Sequence, residues 1–161
     1  MRELGEVKGL DPKTVSSYID VLEKAFVVFR LPSFSRNHRN EIKAGRKIYF
    51  YDNGVRNTLI GQLTPLAARQ DVGALWENFL VSERRKQLFY TGSLATQYFW
   101  RTAQQQEVDY VEDAGGDISG YEFKWNPRRT ARFPLAFTQT YAAKTMVVSR
   151  DNFREFIGLA R

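Results

Sequence analysis

EVDYVEDAGGDISGYEFKW, residues 107–125, holds two β-rich runs separated by the turn-forming DAGGD. Side chains alternate across a strand, so Tyr121, Phe123 and Trp125 share one face of the second run while Glu122 and Lys124 share the other. If the hairpin closes through Asp113 to Asp117 with Val111 opposite Gly120, the register sets Asp109 opposite Glu122. Opposed residues stand about 4.5–5.5 Å apart at Cβ, and like charges at that spacing destabilise a sheet. A slip of one residue would separate them, so the arrangement depends on register. Two crowded carboxylates call for a cation. Mg²⁺ or Mn²⁺, held by one or two carboxylates with waters and substrate phosphates, answers that need. Lys124 would flank it. There a lysine either drifts toward the neutral form and activates a water, or stays charged and stabilises a scissile phosphate. The competing reading is a solvated hairpin face that happens to carry Glu-x-Lys.

Working outward, Asp11 before Pro12 predicts a helix start, and Val15, Tyr18, Ile19, Leu22, Ala25 and Phe26 recur at helical spacing. Leu4 and Val7 ahead of Gly9 suggest a shorter helix before it, and β-rich runs follow at Phe26 to Leu31 and Lys47 to Tyr51. A helix pair with a two-stranded hairpin predicts a winged-helix-like segment over residues 1–62, lacking its first helix. In YFYDNG, Asp52 is expected to cap a helix from Asn53 to Leu59. Breakers at Gly61, Thr64, Pro65 and Asp71 mark the join to a second part, residues 63–161. That part reads as a helix from Val72 to Leu88, strands at Gln97 to Arg101, Glu107 to Val111 and Ile118 to Trp125, and an amphipathic segment at Phe133 to Tyr141. A buried strand at Thr145 to Ser149 and a helix capped by Asp151 complete it. The class expected is α/β (α+β), a small mixed sheet flanked by helices.

The composition narrows the chemistry. Among 161 residues, 43% apolar and 26% charged, there is no cysteine and one histidine, His38. Thiolate sites, disulfides and multi-histidine zinc are excluded, so any metal must be held mainly by oxygen. No apolar run approaches the roughly 18 residues of a membrane span, and no signal peptide is evident at Met1, so a cytoplasmic protein is expected. Lys and Arg number 24 against 18 acids, a net charge of +6 that favours a polyanion such as DNA. Lys13, Arg36, Arg39, Arg128 and Arg129 are the candidate phosphate contacts, although the helix bearing Lys13 and Lys24 also carries Asp20 and Glu23. Phe99-Trp100-Arg101 reads either as a base-stacking platform or as a buried strand with Arg101 pairing a site carboxylate.

Asp109, twelve residues, then Glu122-Phe123-Lys124 resembles the signature of the PD-(D/E)XK nuclease superfamily, with Val108 where the proline would stand. The resemblance implies a restriction-endonuclease-like fold, Asp109 and Glu122 as metal ligands, Lys124 as the catalytic lysine, and Glu77 of Trp76-Glu77-Asn78-Phe79 as the helix glutamate that helps hold metal. Over most of its length the chain also resembles the C-terminal region of prokaryotic AAA-type ATPases, in KTVSSYIDVLEKAFVVFRLPSFSRN, KIYFYDNGVRN, GALWENFLVSE, YFWRTAQQQEVDYV and YEFKW. That family implies an N-terminal P-loop ATPase domain, then a winged helix, then a nuclease-like domain. No Gly-x-x-x-x-Gly-Lys-Ser/Thr occurs in this chain, so ATP hydrolysis is not assigned to it. A non-catalytic DNA- or protein-binding module serving an attached ATPase is the alternative.

Overall fold

A computed structural model describes residues 11–36 and 45–159. Helix α1 (Pro12–Lys24) begins as the sequence predicts: the Asp11 carboxylate accepts the Lys13 and Thr14 amides at 2.9 and 3.2 Å, with proline in the first turn. Phe26 leaves the helix in the left-handed region, φ 56°. Strands β1 (Val28–Pro32) and β2 (Arg46–Phe50) then form an antiparallel hairpin in which Phe29 faces Tyr49. Arg30 of β1 ties α1 to the hairpin through Asp20 and Glu23. The apolar stripe of α1 is not the core face its spacing suggests. Only Val15 is buried, and Tyr18, Val21, Leu22 and Phe26 are exposed. Leu4 and Val7, the expected preceding helix, lie outside the described residues.

Helix α2 (Asn53–Leu59) is capped by Asp52, whose carboxylate accepts the Val55 amide at 2.9 Å. A 3₁₀ turn (Leu66–Ala68) and an Asp71 carboxylate gripped by Arg69 and Arg56 lead into α3 (Val72–Tyr90). Strands β3 (Thr96–Arg101), β4 (Glu107–Ala114), β5 (Asp117–Phe123) and β6 (Lys144–Val148) form a mixed sheet in that order. Within it β5 and β6 run parallel across the crossover helix α4 (Leu135–Tyr141). The β4–β5 turn uses Gly115 and Gly116 at positive φ, which only glycine adopts without strain.

The sheet is packed on both faces. Against one lie α3, the short α5 (Phe153–Phe156) and the hairpin, through Trp76, Leu80, Val81, Phe156, Phe29, Leu31 and Tyr49 around Tyr110, Phe123 and Val148. Against the other lies α4, whose fully buried Phe137 packs on Trp100, Val108, Val111 and Ile118. The α/β (α+β) class expected from the sequence is the one observed. The hairpin is joined to the sheet, since Phe34 donates its amide to the Phe99 carbonyl at 2.7 Å and Ser33 bridges Phe99. Two local expectations need correction. Asn152, not Asp151, stands at the start of α5 and accepts the Ser149 amide at 2.7 Å. Strand β6 is an edge strand, so Lys144 and Thr145 are exposed and Val148 alone of it is buried.

Candidate functional site

The register anticipated for the central hairpin holds: Val111 pairs with Gly120 and Tyr110 with Tyr121. Continued by one residue, it brings Asp109 to Glu122. Asp109 departs from the regular ladder here, and its Oδ2 accepts the Phe123 amide at 2.9 Å. The cause is a bulge on the opposite side of β4. Tyr98 pairs with Val111 but Trp100 pairs with Val108, so two steps on β3 match three on β4 and the extra residue falls at Asp109–Tyr110. Bulges re-aim side chains and recur beside active sites. The sequence carried a sign of it, because Val108-Asp109-Tyr110-Val111 breaks strict alternation.

Helix α3 brings the third acid. Glu77 Oε1 accepts from the Tyr49 hydroxyl at 2.6 Å and from the Lys47 ammonium at 3.0 Å. Lys47 reaches on to Glu107 at 2.5 Å, and Arg101 meets the other Glu107 oxygen at 3.4 Å. Thus Arg101 pairs with a carboxylate, as one reading of β3 anticipated, and the partner is Glu107. Glu122, nearly buried, accepts from the Lys124 ammonium at 2.8 Å. The electrostatics follow from this crowding. Burial, then the negative charges of Glu77 and Glu122, push the Asp109 carboxyl up to about 7, against the Phe123 amide and Lys47, which favour the ionised form. Burial and the Glu77 carboxylate hold the Tyr49 phenol well above its ordinary range.

At Lys124 burial and a neighbouring charge oppose one another. Burial pulls it down, but the hydrogen bond and charge of Glu122 outweigh burial and keep its ammonium above the ordinary lysine value. The ammonium is the form that the Glu122 contact favours. Among the described residues no three carboxylate or histidine side chains converge as a ready metal cage. Asp109 and Glu122 are the carboxylates that could hold Mg²⁺ or Mn²⁺, an ion that takes one or two carboxylates and keeps its waters.

The predicted phosphate contacts are scattered. Lys13 is exposed on α1. Arg36 is already paired with Asp113 at 2.5 Å, and its guanidinium lies 5.6 Å from the Phe34 ring centre. Arg128 and Arg129 are exposed in the turn that follows Lys124. Arg39, like His38, lies outside the described residues. Trp100 is buried to 1%, so Phe99-Trp100-Arg101 is a core strand and not a stacking platform. Lys47 and Tyr49, which bind Glu77, were not legible in the sequence because they sit 30 and 28 residues from their partner. The buried pair of Arg84 and Glu112, bidentate at 2.6 and 2.8 Å, was not legible there for the same reason.

Residues 72–158 match the model of a domain of unknown function, DUF4143, and residues 1–66 match another, DUF8612. The chain is 32% identical over 124 residues to the uncharacterized protein Rv2008c of Mycobacterium tuberculosis. The same figures hold for the uncharacterized protein Mb2031c of Mycobacterium bovis. Each alignment covers 76% of this chain but 27% of the relative, so the chain spans about a quarter of the length of the curated relatives it matches. No solved structure matches. No described helix is long and apolar enough to cross a membrane.

Proposed function

This chain belongs to the DUF4143 family, and from that premise we propose that its mixed sheet is a PD-(D/E)XK-like nuclease domain, preceded by a winged-helix-like segment, that hydrolyses DNA phosphodiesters with Mg²⁺ or Mn²⁺. The observation that carries the reading is the Asp109 carboxyl. It sits beside Glu122 at a strand bulge, raised to about 7 by burial and by two neighbouring acids, which is the environment a divalent cation relieves. Asp109 and Glu122 would hold the ion, and Glu77 adds a third negative charge. A bound Mg²⁺ would supply Lewis acidity and a more acidic water. The chain's own residues do the rest. The Phe123 amide fixes the Asp109 carboxylate, Glu122 orients the Lys124 ammonium, and Lys124 places positive charge where a scissile phosphate develops negative charge. The length of its relatives leaves room for the N-terminal P-loop ATPase domain that we assign to the full protein.

The test is cleavage of plasmid and single-stranded DNA with Mg²⁺ or Mn²⁺, comparing wild type with Asp109→Asn and Lys124→Ala. Metal-dependent cutting that both variants abolish supports the reading, and cutting that survives Asp109→Asn ends it.

A second reading has one observation behind it. Lys47 bridges Glu77 and Glu107, and Lys124 pairs with Glu122, so the acid cluster carries its own counter-charges. A non-catalytic module that binds DNA or protein and regulates an attached ATPase accounts for this. Isothermal titration separates the two readings: absence of Mg²⁺ and Mn²⁺ binding at millimolar concentration favours the module.

A further inference from the structure

Immediately beyond Lys124 the chain builds a second basic feature. Strands β5 and β6 run parallel and end together, Phe123 beside Val148, with the Lys124 amide donating to the Val148 carbonyl at 2.9 Å. Outside these carboxyl ends lies a cavity of about 430 Å³ lined by Trp125, Asn126, Pro127, Arg128 and Arg150. Ligands of open sheets gather in crevices at the carboxyl ends of parallel strands. Among the described residues two guanidinium groups line this cavity and no carboxylate does.

Arg150 is held in place before any ligand arrives. Its guanidinium carbon stands 4.8 Å from the Trp125 ring centre, and its Nε donates to the Trp125 carbonyl at 3.0 Å. The indole is fixed in turn against Trp76, ring centres 5.3 Å apart. With Nε used for positioning, the two terminal nitrogens of an exposed side chain are left to grip an oxyanion as a fork. Arg128 is presented by a tight turn: its amide donates to Asn126 Oδ1 at 3.0 Å, and the Arg129 amide donates to the Asn126 carbonyl at 3.0 Å. Arg128 was a candidate phosphate contact from its sequence cluster alone. Arg150 stands 22 residues away, isolated in the sequence, and became visible only in the fold.

We propose that this cavity is a phosphate subsite in which Arg150 and Arg128 hold a backbone phosphate of a single nucleic-acid strand running past Lys124. The proposal deepens the nuclease reading and rests on it for the identity of the strand. The binding chemistry itself needs no metal.

The experiment measures anisotropy of a fluorescein-labelled 20-mer of thymidylate with the whole chain in EDTA, across a salt series. Arg150→Gln, Arg128→Gln, Arg150→Lys and, as an exposed arginine outside the cavity, Arg154→Gln are compared with wild type. Loss of one phosphate contact is expected to weaken binding about tenfold and to flatten the slope of log affinity against log salt by about 0.7. Arg150→Gln and Arg128→Gln should each do so, Arg150→Lys should fall between, and Arg154→Gln should match wild type. Arg128→Gln lies in an exposed turn and keeps the test valid if Arg150→Gln loosens Trp125. Unlabelled pyrophosphate or anionic phosphatidylserine vesicles that displace the 20-mer at lower phosphate concentration than unlabelled 20-mer would replace the strand by a free or lipid phosphate and overturn the proposal. So would wild-type affinity and slope in both Gln variants, or a wild type that does not bind the 20-mer at 50 mM salt. The two readings fail separately. Cleavage with unaltered binding in the arginine variants removes the subsite and leaves the nuclease, whereas arginine-dependent binding without cleavage in Mg²⁺ does the reverse.

Discussion

Replacing Asn78 tests how the hairpin is fastened to the rest of the molecule. Asn78 lies on the inner face of α3, 4% exposed, and its amide grips the last residue of β2 from both sides. Oδ1 accepts the Phe50 amide at 2.8 Å, while Nδ2 donates to the Phe50 carbonyl at 3.0 Å and to Asn53 Oδ1 at 2.8 Å. The side chain takes the place of a third strand at the free edge of β2. In Asn78→Ala all three bonds are lost. At about 1 kcal/mol net per bond, with a further 1–2 kcal/mol where a Phe50 group is left unpaired, the loss is about 3–5 kcal/mol. For a chain of this size that lowers Tm by about 10 °C. Urea unfolding followed by circular dichroism reads the free energy, and amide exchange at Phe50 reads the local contact. Asn78→Asp separates bonding from packing. It keeps the bond from the Phe50 amide but sets a second acceptor against the Phe50 carbonyl and Asn53 Oδ1. Its loss should match that of the alanine variant at neutral pH and shrink in acid, where a protonated carboxyl donates again. A loss below about 1 kcal/mol in Asn78→Ala, with Phe50 exchange unchanged, would refute the clamp.

Three further perturbations follow from the same geometry. A Cβ at Gly120 would stand 2.6 Å from Phe137 Cε1 and 3.3 Å from Val108 Cγ1, so Gly120→Ala should lose about 1–3 kcal/mol by overpacking, read by urea unfolding. Relief of that loss by Phe137→Leu would confirm the contact. Asp109, raised from the usual aspartate range to about 7, holds its proton more tightly folded than unfolded. In EDTA the stability that it contributes is therefore greatest below about pH 4 and declines as pH rises toward 7. Asp109→Asn should flatten that decline in a pH series of denaturant midpoints, and an unchanged slope would assign it elsewhere. Arg84 and Glu112 form a largely buried bidentate pair, so Arg84→Ala should lose about 3–5 kcal/mol by stranding Glu112. The double variant Arg84→Met with Glu112→Leu should lose less than Arg84→Ala alone, measured as a double-mutant cycle.

The local chemistry of this chain is legible in its sequence because it acts over a few residues. Asp11 ahead of Pro12 and Asp52 ahead of Asn53 cap their helices as expected, and DAGGD sets the turn that fixes Val111 against Gly120. From that one register the proximity of Asp109 and Glu122 follows. The apolar stripe of α1 misled, because helical periodicity reports that a face is apolar and not that anything covers it. Asp151 misled because one residue decides which side chain reaches back, and Asn152 reaches the Ser149 amide.

What the sequence withheld is the set of contacts that surround the two acids. Glu77 touches Lys47 and Tyr49 only because α3 crosses the face of the hairpin that also bears Phe29 and Leu31. The single core there draws on residues from either side of the join near residues 60–72. The acid cluster is thus assembled at the seam between the N-terminal hairpin and the sheet, with Asn78 one residue from Glu77 fastening the two together. Lys47, the counter-charge on Glu77, is carried by the hairpin, whereas Asp109 and Glu122 are carried by the sheet. Lys47 is then the group whose departure would leave Glu77, Glu107 and Asp109 unbalanced and raise the affinity of that corner for a cation. Loosening the Asn78 clamp and loading the site with metal should accordingly be linked: Asn78→Ala should be rescued in part by Mg²⁺ if the cluster binds it, and not at all if Lys47 is its permanent counter-ion.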